Sequence, residues 1–436
     1  MNVLPKLLYL FQNLPVMRNN KLFQEWQKEI TKFTWKGKKP RINYTIMTDE
    51  KRRGGFGLPN LKLYYESCGL VWVKDWATLE KNNILALESF DLRRGWHSYL
   101  WYSKRMIEKN FGNHFIRSSL IKIWEKYKER IYRKTPLWIS PLEANQKKFL
   151  GWIKWPKYKE ILRKKDGQYQ LRSQEEIKQK YDKISWFQYA QMKEQFGKDK
   201  ILGFNEIDNF WDVLMQNDKK EITRVYKKLL EWSTEIEYVK SCATKWARNI
   251  GRSIMMSEWE TIWIIKQRYT YASDLQENWL KMFHRWHITP KKLAMMYKNT
   301  DNKCWKCKKQ EGSYFHIWWT CPETKVYWKA IHEELQKILH KSFPMKPEFY
   351  LLGLTEEIMK VNSNEDKIFT YATTAARMIF AKYWKLRDIP TKQHWLEKLD
   401  EIYDMDKLTY LMRVNRGKAI KPTNWEKFEE YKEKLK

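Results

Sequence analysis

Residues 304–321 of this 436-residue chain read CWKCKKQEGSYFHIWWTC. The stretch places three cysteines and one histidine in the pattern C-x2-C-x8-H-x4-C, at Cys304, Cys307, His316 and Cys321. Three thiolates and one imidazole can close a tetrahedral zinc site of the structural kind, which leaves no coordination position for a substrate. The pattern therefore predicts structural zinc, with the role of folding a short loop.

The spacing of the last two ligands constrains the backbone between them. On an α-helix, side chains five positions apart point about 140° away from each other. His316 and Cys321 therefore cannot lie on one face of an uninterrupted α-helix, and we expect a zinc-knuckle turn. Trp318 and Trp319 fill this turn. One is expected beneath the metal and the other could face outward, but structural packing is the favoured expectation for each of them. A redox dithiol is the less favoured alternative, because a redox C-x-x-C pair is typical of a βαβ context.

The composition predicts a mainly α-helical fold. Glycine (15) and proline (13) are scarce, so residues that break helices are rare. Aromatic residues make up 16% of the chain, whereas disordered chains contain few of them. Apolar residues recur with helical spacing in many segments, which are 20–35, 61–76, 173–184, 206–216, 219–232, 235–250, 257–284, 290–297, 322–339, 365–385 and 392–412.

Local signals add caps and turns to this pattern. Ser173 and Glu176 form a capping-box pair, and Thr289 before Pro290 is typical of a helix start. Asn60 is placed to cap the helix that follows the glycine-rich stretch at 54–57. Asp166-Gly167 indicates a turn between short strands.

The charge of the chain favours a polyanionic partner. Lysine and arginine number 84 against 52 acidic residues, a formal net charge of +32. Nucleic acid is the leading candidate, because each bound phosphate releases counterions. An anionic membrane surface is the alternative, although no run of about 18 apolar residues predicts a spanning helix. The five cysteines and the lack of a recognisable signal peptide favour a reduced intracellular protein.

Three basic groups are candidate nucleic-acid contacts. Aromatic residues accompany them, and such side chains can stack on bases. The alternative is that these charges form solvated faces only. The candidates are Lys36, Lys38, Lys39, Arg41, Lys51, Arg52 and Arg53 in the first group, Lys126, Lys128, Arg130, Arg133 and Lys134 in the second, and Trp305, Lys306, Lys308 and Lys309 in the zinc loop.

Catalytic motifs are absent from the sequence. The chain contains no G-x-x-x-x-G-K-[ST] loop, no G-x-G-x-x-G fingerprint and no Asp-Asp dipeptide. His284 and His287 lie three positions apart and could ligate a metal as a pair, but no carboxylate or cysteine accompanies them nearby. We therefore expect a binding protein that is not an enzyme.

Several stretches resemble LINE-type non-LTR retrotransposon reverse transcriptases. MNVLPKLLYLFQNLPV (1–16), followed by a basic loop at 36–53 and by GGFGLPNLKLYYESC (54–68), resembles the segment after the palm, where the thumb begins. RWHITPKKLAMMY (285–297), followed by the zinc loop, resembles the carboxy-terminal zinc-knuckle region of the same polyprotein. YLLGL (350–354) and AARMIFAKYWK (375–385) are similar to its final domain.

The resemblance implies a division into thumb, wrist and carboxy-terminal domain. It gives residues 1–80 to a thumb-like region, 81–255 to a wrist-like region and 256–436 to a carboxy-terminal domain with the knuckle at 304–321. In this family an endonuclease and a polymerase precede these regions, and the protein copies its own RNA at a nicked chromosomal target. The chain would begin after both catalytic segments.

These expectations combine into one functional hypothesis. The chain is expected to be the non-catalytic part of such a protein that binds RNA or an RNA–DNA hybrid, with target DNA as a further candidate partner and no membrane partner. It would work in a cytoplasmic ribonucleoprotein and in the nucleus. The alternative is a degenerate or repurposed fragment that serves as an interaction scaffold.

Overall fold

The structure is a computed structural model. It describes residues 3–14, 19–78, 100–101, 115–131, 133–142, 156–206, 220–233, 237–265, 269–361, 363–417 and 422–435. The predicted helix at 206–216 lies outside these ranges except for its first residue. None of the described helices combines the length and apolar character needed to cross a membrane.

The described chain is mainly α-helical, as predicted. Its first helices and its two strands are α1 (Val3–Asn13), α2 (Asn20–Thr34), α3 (Tyr44–Thr48), α4 (Leu61–Thr78), α5 (Phe115–Ile131), α6 (Tyr158–Ile161), β1 (Leu162–Lys165), β2 (Gln168–Leu171), α7 (Gln174–Lys178), α8 (Trp186–Leu202) and α9 (Glu221–Ser233).

The remaining elements are also helical. The α-helices are α10 (Glu237–Ile250), α11 (Met256–Glu260), α12 (Ser273–Phe283), α13 (Pro290–Met296), α14 (Pro322–Leu339), α15 (Asn364–Lys382), α16 (Lys392–Val414) and α17 (Glu426–Glu433). Lys51–Arg53 forms a 3-10 turn. Three π-helical turns occur at Thr261–Ile265, His316–Thr320 and Glu348–Leu352.

The chain divides into two compact units. The first contains Met1–Lys38 and Pro59–Thr234, and the second contains Lys39–Leu58 and Glu235–Lys436. The basic loop therefore leaves the first unit, contributes α3 and the 3-10 turn to the second, and returns. The division at residues 80 and 255, which the family resemblance implies, stays a prediction.

The first unit is built around α4. Helices α1, α5 and α9 pack against it. Phe11, Phe23 and Tyr65 form an aromatic cluster with ring centroids 5.4–6.1 Å apart. The side chain of Asn60 accepts a hydrogen bond from the Leu63 amide at 3.2 Å, which confirms the predicted cap.

The β-hairpin of this unit matches the predicted turn. Strands β1 and β2 pair antiparallel, with Leu162 opposite Leu171. Gly167 has φ +75°, a conformation that glycine adopts without the steric cost of a Cβ atom. The capping box of Ser173 and Glu176 is present, but its helix ends at Lys178, well short of the predicted end at residue 184.

Helix α8 was missed from the sequence because its apolar pattern is inverted. Trp186 and Ile201 are exposed, whereas Gln195 and Asp199 are buried and joined by a hydrogen bond of 3.1 Å. Periodicity counts apolar residues and could not identify this helix. The capping box of Ser185 and Gln188 was the signal that marked its start.

The second unit packs α14, α15 and α16 around one large aromatic and aliphatic core. Arg377 of α15 is fully buried in it and donates hydrogen bonds to Asn278 Oδ1 at 2.9 Å and Tyr350 O at 2.6 Å. Its guanidinium lies 4.2 Å from the ring centroid of Trp279. These partners satisfy a buried charge that would otherwise be costly.

The single helix predicted at 257–284 is wrong. Helix α11 ends at Glu260, a π turn follows, and α12 begins at Ser273 after Ala272 in an extended conformation. The Thr270 side chain accepts a hydrogen bond from the Ala272 amide at 3.2 Å. Threonine offers the backbone such alternatives to the helix, which periodicity does not capture.

The glycine-rich stretch packs tightly inside the second unit. Gly54 has φ +83°, and its carbonyl lies 3.0 Å from His284 Nε2. Phe56 stacks on the His284 ring at 5.4 Å. A Cβ atom at Gly55 would lie 2.3 Å from the Asp49 carbonyl oxygen. The loop therefore excludes any side chain at Gly55.

Gly55→Ala should destabilise the second unit by about 2–3 kcal/mol, because the new methyl group meets backbone that cannot move aside. Gly251→Ala is the matched control: its φ is +85°, with no described atom within 4 Å of a new Cβ. The control should cost only backbone strain, about 1 kcal/mol. Equal free energies of unfolding in urea would contradict the close approach at Gly55.

Candidate metal centre

The four predicted ligands come together in the second unit. Their ligand atoms all lie within 4.8 Å of one another. Cys304 Sγ is 3.9 Å from Cys321 Sγ, and Cys307 Sγ is 3.5 Å from His316 Nε2. A regular zinc tetrahedron has edges of about 3.8 Å between two sulfurs and about 3.6 Å between sulfur and nitrogen. The cluster therefore fits a zinc ion.

A π-helical turn brings His316 and Cys321 together. Residues His316–Thr320 form this turn, and the Cys321 amide donates to the His316 carbonyl at 2.8 Å. A π turn joins residues five apart, one more than an α turn, and so places them one above the other. His316 and Cys321 are therefore not joined by an α-helix, as predicted, but the expected non-helical turn is corrected to a π turn.

The first two ligands lie on a short loop closed by backbone hydrogen bonds. The Cys304 amide donates to the Gln310 carbonyl at 2.8 Å, and the Lys308 amide donates to the Cys304 carbonyl at 2.9 Å. Lys308 has φ +59°, which reverses the chain after Cys307. The loop thus fixes both sulfurs by its own backbone.

Further contacts orient the ligands. His316 Nδ1 lies 3.2 Å from Thr320 Oγ1, which leaves Nε2 to face the cluster. A hydrogen bond to the ring nitrogen that does not bind the metal fixes the ring orientation of a metal-binding histidine. Thr320, four positions after His316 and just before Cys321, was not predicted as part of the site. A hydroxyl next to a ligand was the available signal.

The thiol of Cys304 donates a hydrogen bond to the sulfur of Cys321 at 3.9 Å. The hydrogen bond from the Cys304 thiol, with smaller contributions from the Thr324 and Glu323 amides, lowers the pKa of Cys321 well below its usual range. The same hydrogen bond, with burial, raises the pKa of Cys304. A thiolate is thus already favoured at one ligand, and the thiolate is the form that binds metal.

Lys306 is not on the surface, which corrects its expected role in nucleic-acid contact. It is 2% exposed, and its ammonium donates to the carbonyls of Tyr383, Leu386 and Asp388 at 2.7–2.8 Å. Burial lowers the pKa of Lys306 to about 8, so the group is still mainly charged at pH 7. The side chain fastens the zinc loop to the segment after α15.

The tryptophans of the cluster are mostly structural. Trp318 and Trp319 are both buried, which confirms the favoured expectation of structural packing and excludes the outward-facing alternative. Trp318 packs on Trp384 with centroids 5.3 Å apart. Trp305 is half-buried and meets the Trp384 ring edge-on at 6.2 Å. Only part of Trp305 is therefore open to a base.

His284 and His287 do not form a metal pair. His284 bonds to the Gly54 carbonyl, while His287 packs between Trp318 and Trp384 at 5.5 and 5.0 Å. Burial lowers the pKa of both histidines to about 4. They are neutral packing groups of the second unit.

The other basic candidates fall into two sets. The exposed ones are Lys36, Lys38, Lys39, Arg41, Lys51, Arg52, Lys126, Arg130, Arg133, Lys134, Lys308 and Lys309. Arg53 and Lys128 are half-buried. Lys36 and Lys38 belong to the first unit, whereas Lys39, Arg41 and residues 51–53 belong to the second.

Several of these side chains already have internal partners. Lys126 pairs with Glu66 at 2.7 Å, and Arg130 donates to the Trp232 carbonyl at 2.7 Å. Arg41 lies over the Trp286 ring at 5.0 Å, and Arg52 pairs with Glu50. Their charges are partly used within the protein, whereas Lys308 and Lys309 extend from the zinc loop.

No known protein-family model matches the chain. The candidate metal centre therefore rests on the geometry and chemistry of the four side chains.

Cys304→Ser should abolish zinc binding and destabilise the second unit by several kcal/mol, because binding energy at a structural site is folding energy. Cys242→Ser is the control: that thiol donates to the Phe283 carbonyl at 2.8 Å, which a serine hydroxyl can also do. Native mass spectrometry should find zinc in wild type and control only. Full zinc retention by Cys304→Ser would refute the ligand assignment.

Lys306→Met should lower the free energy of unfolding by about 2–3 kcal/mol, because three buried carbonyls lose a charged donor. Lys308→Met removes the same charge from an exposed position on the same loop and should change stability by less than about 0.5 kcal/mol. Urea unfolding of both variants measures the difference. Similar values would show that the buried ammonium is not a structural tie.

Proposed function

We propose that this chain is a non-catalytic nucleic-acid-binding part of a LINE-type reverse transcriptase. It binds RNA or an RNA–DNA hybrid and supports the template during target-primed reverse transcription, with target DNA as a further partner. The observation that carries the proposal is a net charge of +32 with exposed lysines on a loop fixed by a metal-ligand cluster. Its setting would be a cytoplasmic ribonucleoprotein and the nucleus.

The charge supports binding through phosphates. Twelve of the sixteen candidate contact residues are exposed in the described chain. Phosphate contacts by lysine and arginine supply most of the sequence-independent affinity for nucleic acid.

The zinc loop supports the same function by fixing its cations in place. Lys308 and Lys309 follow the ligand Cys307 directly, and the Lys308 amide is bonded to the Cys304 carbonyl. A fixed backbone lowers the entropy lost on binding. The metal would be structural, held by three thiolates and Nε2 of His316, and would supply rigidity to this loop.

The packing of the second unit supports the family assignment. The glycine-rich stretch at 54–57 and the segment that starts at Arg285 are distant in sequence, and both resemble the same polyprotein. Gly54 and Phe56 contact His284, and Arg41 lies over Trp286. The two stretches that carry the resemblance are thus neighbours in one compact unit.

RNA affinity should fall steeply with salt, by orders of magnitude between about 50 and 200 mM. Lys308→Gln/Lys309→Gln should reduce the slope of log affinity against log salt by about 1.4, the value for two contacts to a single strand. Fluorescence anisotropy with labelled single-stranded RNA, duplex DNA and an RNA–DNA hybrid measures these slopes.

Lys360→Gln/Lys434→Gln is the matched control, because both lysines are exposed in the second unit and the net charge changes equally. This pair should leave the slope nearly unchanged. An affinity that ignores salt, or no binding of any nucleic acid, would reject the proposal and favour an interaction scaffold. Primer extension by the purified chain would contradict its non-catalytic role.

A further inference from the structure

Helix α8 of the first unit exposes aromatic rings to solvent. Trp186 is 72% exposed and Phe187 is 64% exposed, and neither ring contacts another aromatic ring of the described chain. Burial of a large ring is normally a major source of hydrophobic stabilisation. Two such rings on consecutive exposed residues are typical of an interaction surface, where tryptophan is enriched.

The opposite face of α8 is anchored in the first unit. Met192 is fully buried, and the buried Asp199 carboxylate accepts a hydrogen bond from the Tyr158 hydroxyl at 2.7 Å. Gln195 donates to the same carboxylate at 3.1 Å. The helix is therefore fixed by contacts that do not involve its outward rings, and a fixed surface loses less entropy on binding.

The outward face of α8 carries three residues at seven-residue spacing. Trp186, Lys193 and Lys200 form this α8 row, and all three are exposed. Residues seven apart on an α-helix lie on nearly the same face, two turns and about 10 Å from each other. The α8 row therefore places an aromatic ring at its amino end and an ammonium group on every second turn after it.

The positive charge of the α8 row is not compensated within the described chain. Lys193 and Lys200 form no ion pair with any residue that the structure describes. The neighbouring Glu194 is paired with Lys198 at 2.7 Å, so its carboxylate is already engaged. Ammonium groups without a carboxylate partner complement the phosphates of a nucleic acid.

Small residues lie between the members of the α8 row. Ala190 and Gly197 are four and eleven positions after Trp186, which places them on the same face of the helix. A Cβ atom added at Gly197 would have no described atom within 4 Å. An extended ligand can therefore approach the helix along the α8 row.

We propose that the α8 row binds an unpaired single strand of nucleic acid. One base stacks on the Trp186 indole, and Lys193 and Lys200 approach phosphates of the same strand. The inference rests on the proposed function and deepens it, because it adds a contact surface in the first unit and names the form of nucleic acid bound there. None of the three residues belongs to the basic groups expected from the sequence.

The arrangement of the side chains favours a strand over a protein partner. Side chains of consecutive helical residues point about 100° apart, so Trp186 and Phe187 do not form one continuous apolar patch. The core of a protein–protein interface is apolar and depleted of lysine, whereas the α8 row combines one ring with two ammonium groups. Sites for single strands combine aromatic stacking with basic side chains along the backbone.

The exposed indole also distinguishes an unpaired strand from a duplex. Bases inside a duplex are stacked on their neighbours, so their faces are not available to Trp186. Unpaired bases commonly stack on aromatic side chains. Every base has a π face, so binding at the α8 row should tolerate different sequences.

The test uses the full chain and a single-stranded RNA 12-mer with one 2-aminopurine, whose fluorescence should be quenched by stacking on the indole. Trp186→Ala should weaken single-strand binding about five-fold or more, the effect of one lost stacking contact, and should reduce the quenching. Trp186→Phe keeps a ring and should restore most of the affinity. Lys193→Gln/Lys200→Gln should lower the slope of log affinity against log salt by about 1.4, whereas Trp186→Ala should leave this slope unchanged.

Tyr9→Ala and Lys6→Gln/Lys28→Gln are the matched controls, because these residues are exposed in the first unit and lie on α1 and α2. They should leave affinity and slope nearly unchanged. A blunt RNA–DNA hybrid duplex should bind wild type and Trp186→Ala equally. Urea unfolding should show all variants folded, since every substituted side chain is exposed.

Different failures have different meanings. If wild type binds no nucleic acid, the proposed function and this inference both fall. If wild type binds RNA with the expected salt dependence but the α8 variants keep its affinity, quenching and slope, only this inference falls. An equal loss of single-strand and duplex affinity in Trp186→Ala would also overturn it, because stacking on an unpaired base predicts a difference. The same holds for self-association of wild type that Trp186→Ala abolishes while the RNA affinity stays constant.

Discussion

One backbone hydrogen bond organises the metal centre: the Cys321 amide donates to the His316 carbonyl, five residues back. This bond places the side chains of His316 and Cys321 on one face of the π turn, which an α-helix would not do. Both side chains can therefore approach Cys304 and Cys307. It also sets where α14 begins, because Cys321 precedes Pro322 at the start of that helix. The ligand cluster and the main core of the second unit therefore share one piece of backbone.

Much of the fold could be predicted from the sequence wherever the apolar residues of a helix are also its buried residues. Helices with an apolar face, such as α2 and α14, follow their spacing, and Thr289 caps α13 as expected. The prediction failed where tertiary contacts replace this pattern. Helix α8 buries glutamines and exposes tryptophan, and the break before α12 depends on a threonine hydroxyl.

The site shows the same division. The identity and spacing of four ligands predicted their meeting, because only a few residue types bind zinc. Whether each neighbouring lysine is buried or exposed could not be predicted. Lys306 and Lys308 have similar sequence contexts, but the first is buried and the second is exposed. One meets three carbonyls about eighty residues further along the chain, and the other meets solvent. Such long-range acceptors leave no trace in local sequence.

The buried ammonium of Lys306 has a consequence for how the second unit folds. It joins the loop that carries the candidate metal ligands Cys304 and Cys307 to the segment that follows helix α15. Such a tie is made in full or not at all, because a half-solvated ammonium satisfies neither water nor the carbonyls. Assembly of the loop and docking of the 383–388 segment should therefore be one cooperative event. A metal bound by the four side chains would then stabilise this distant segment as well.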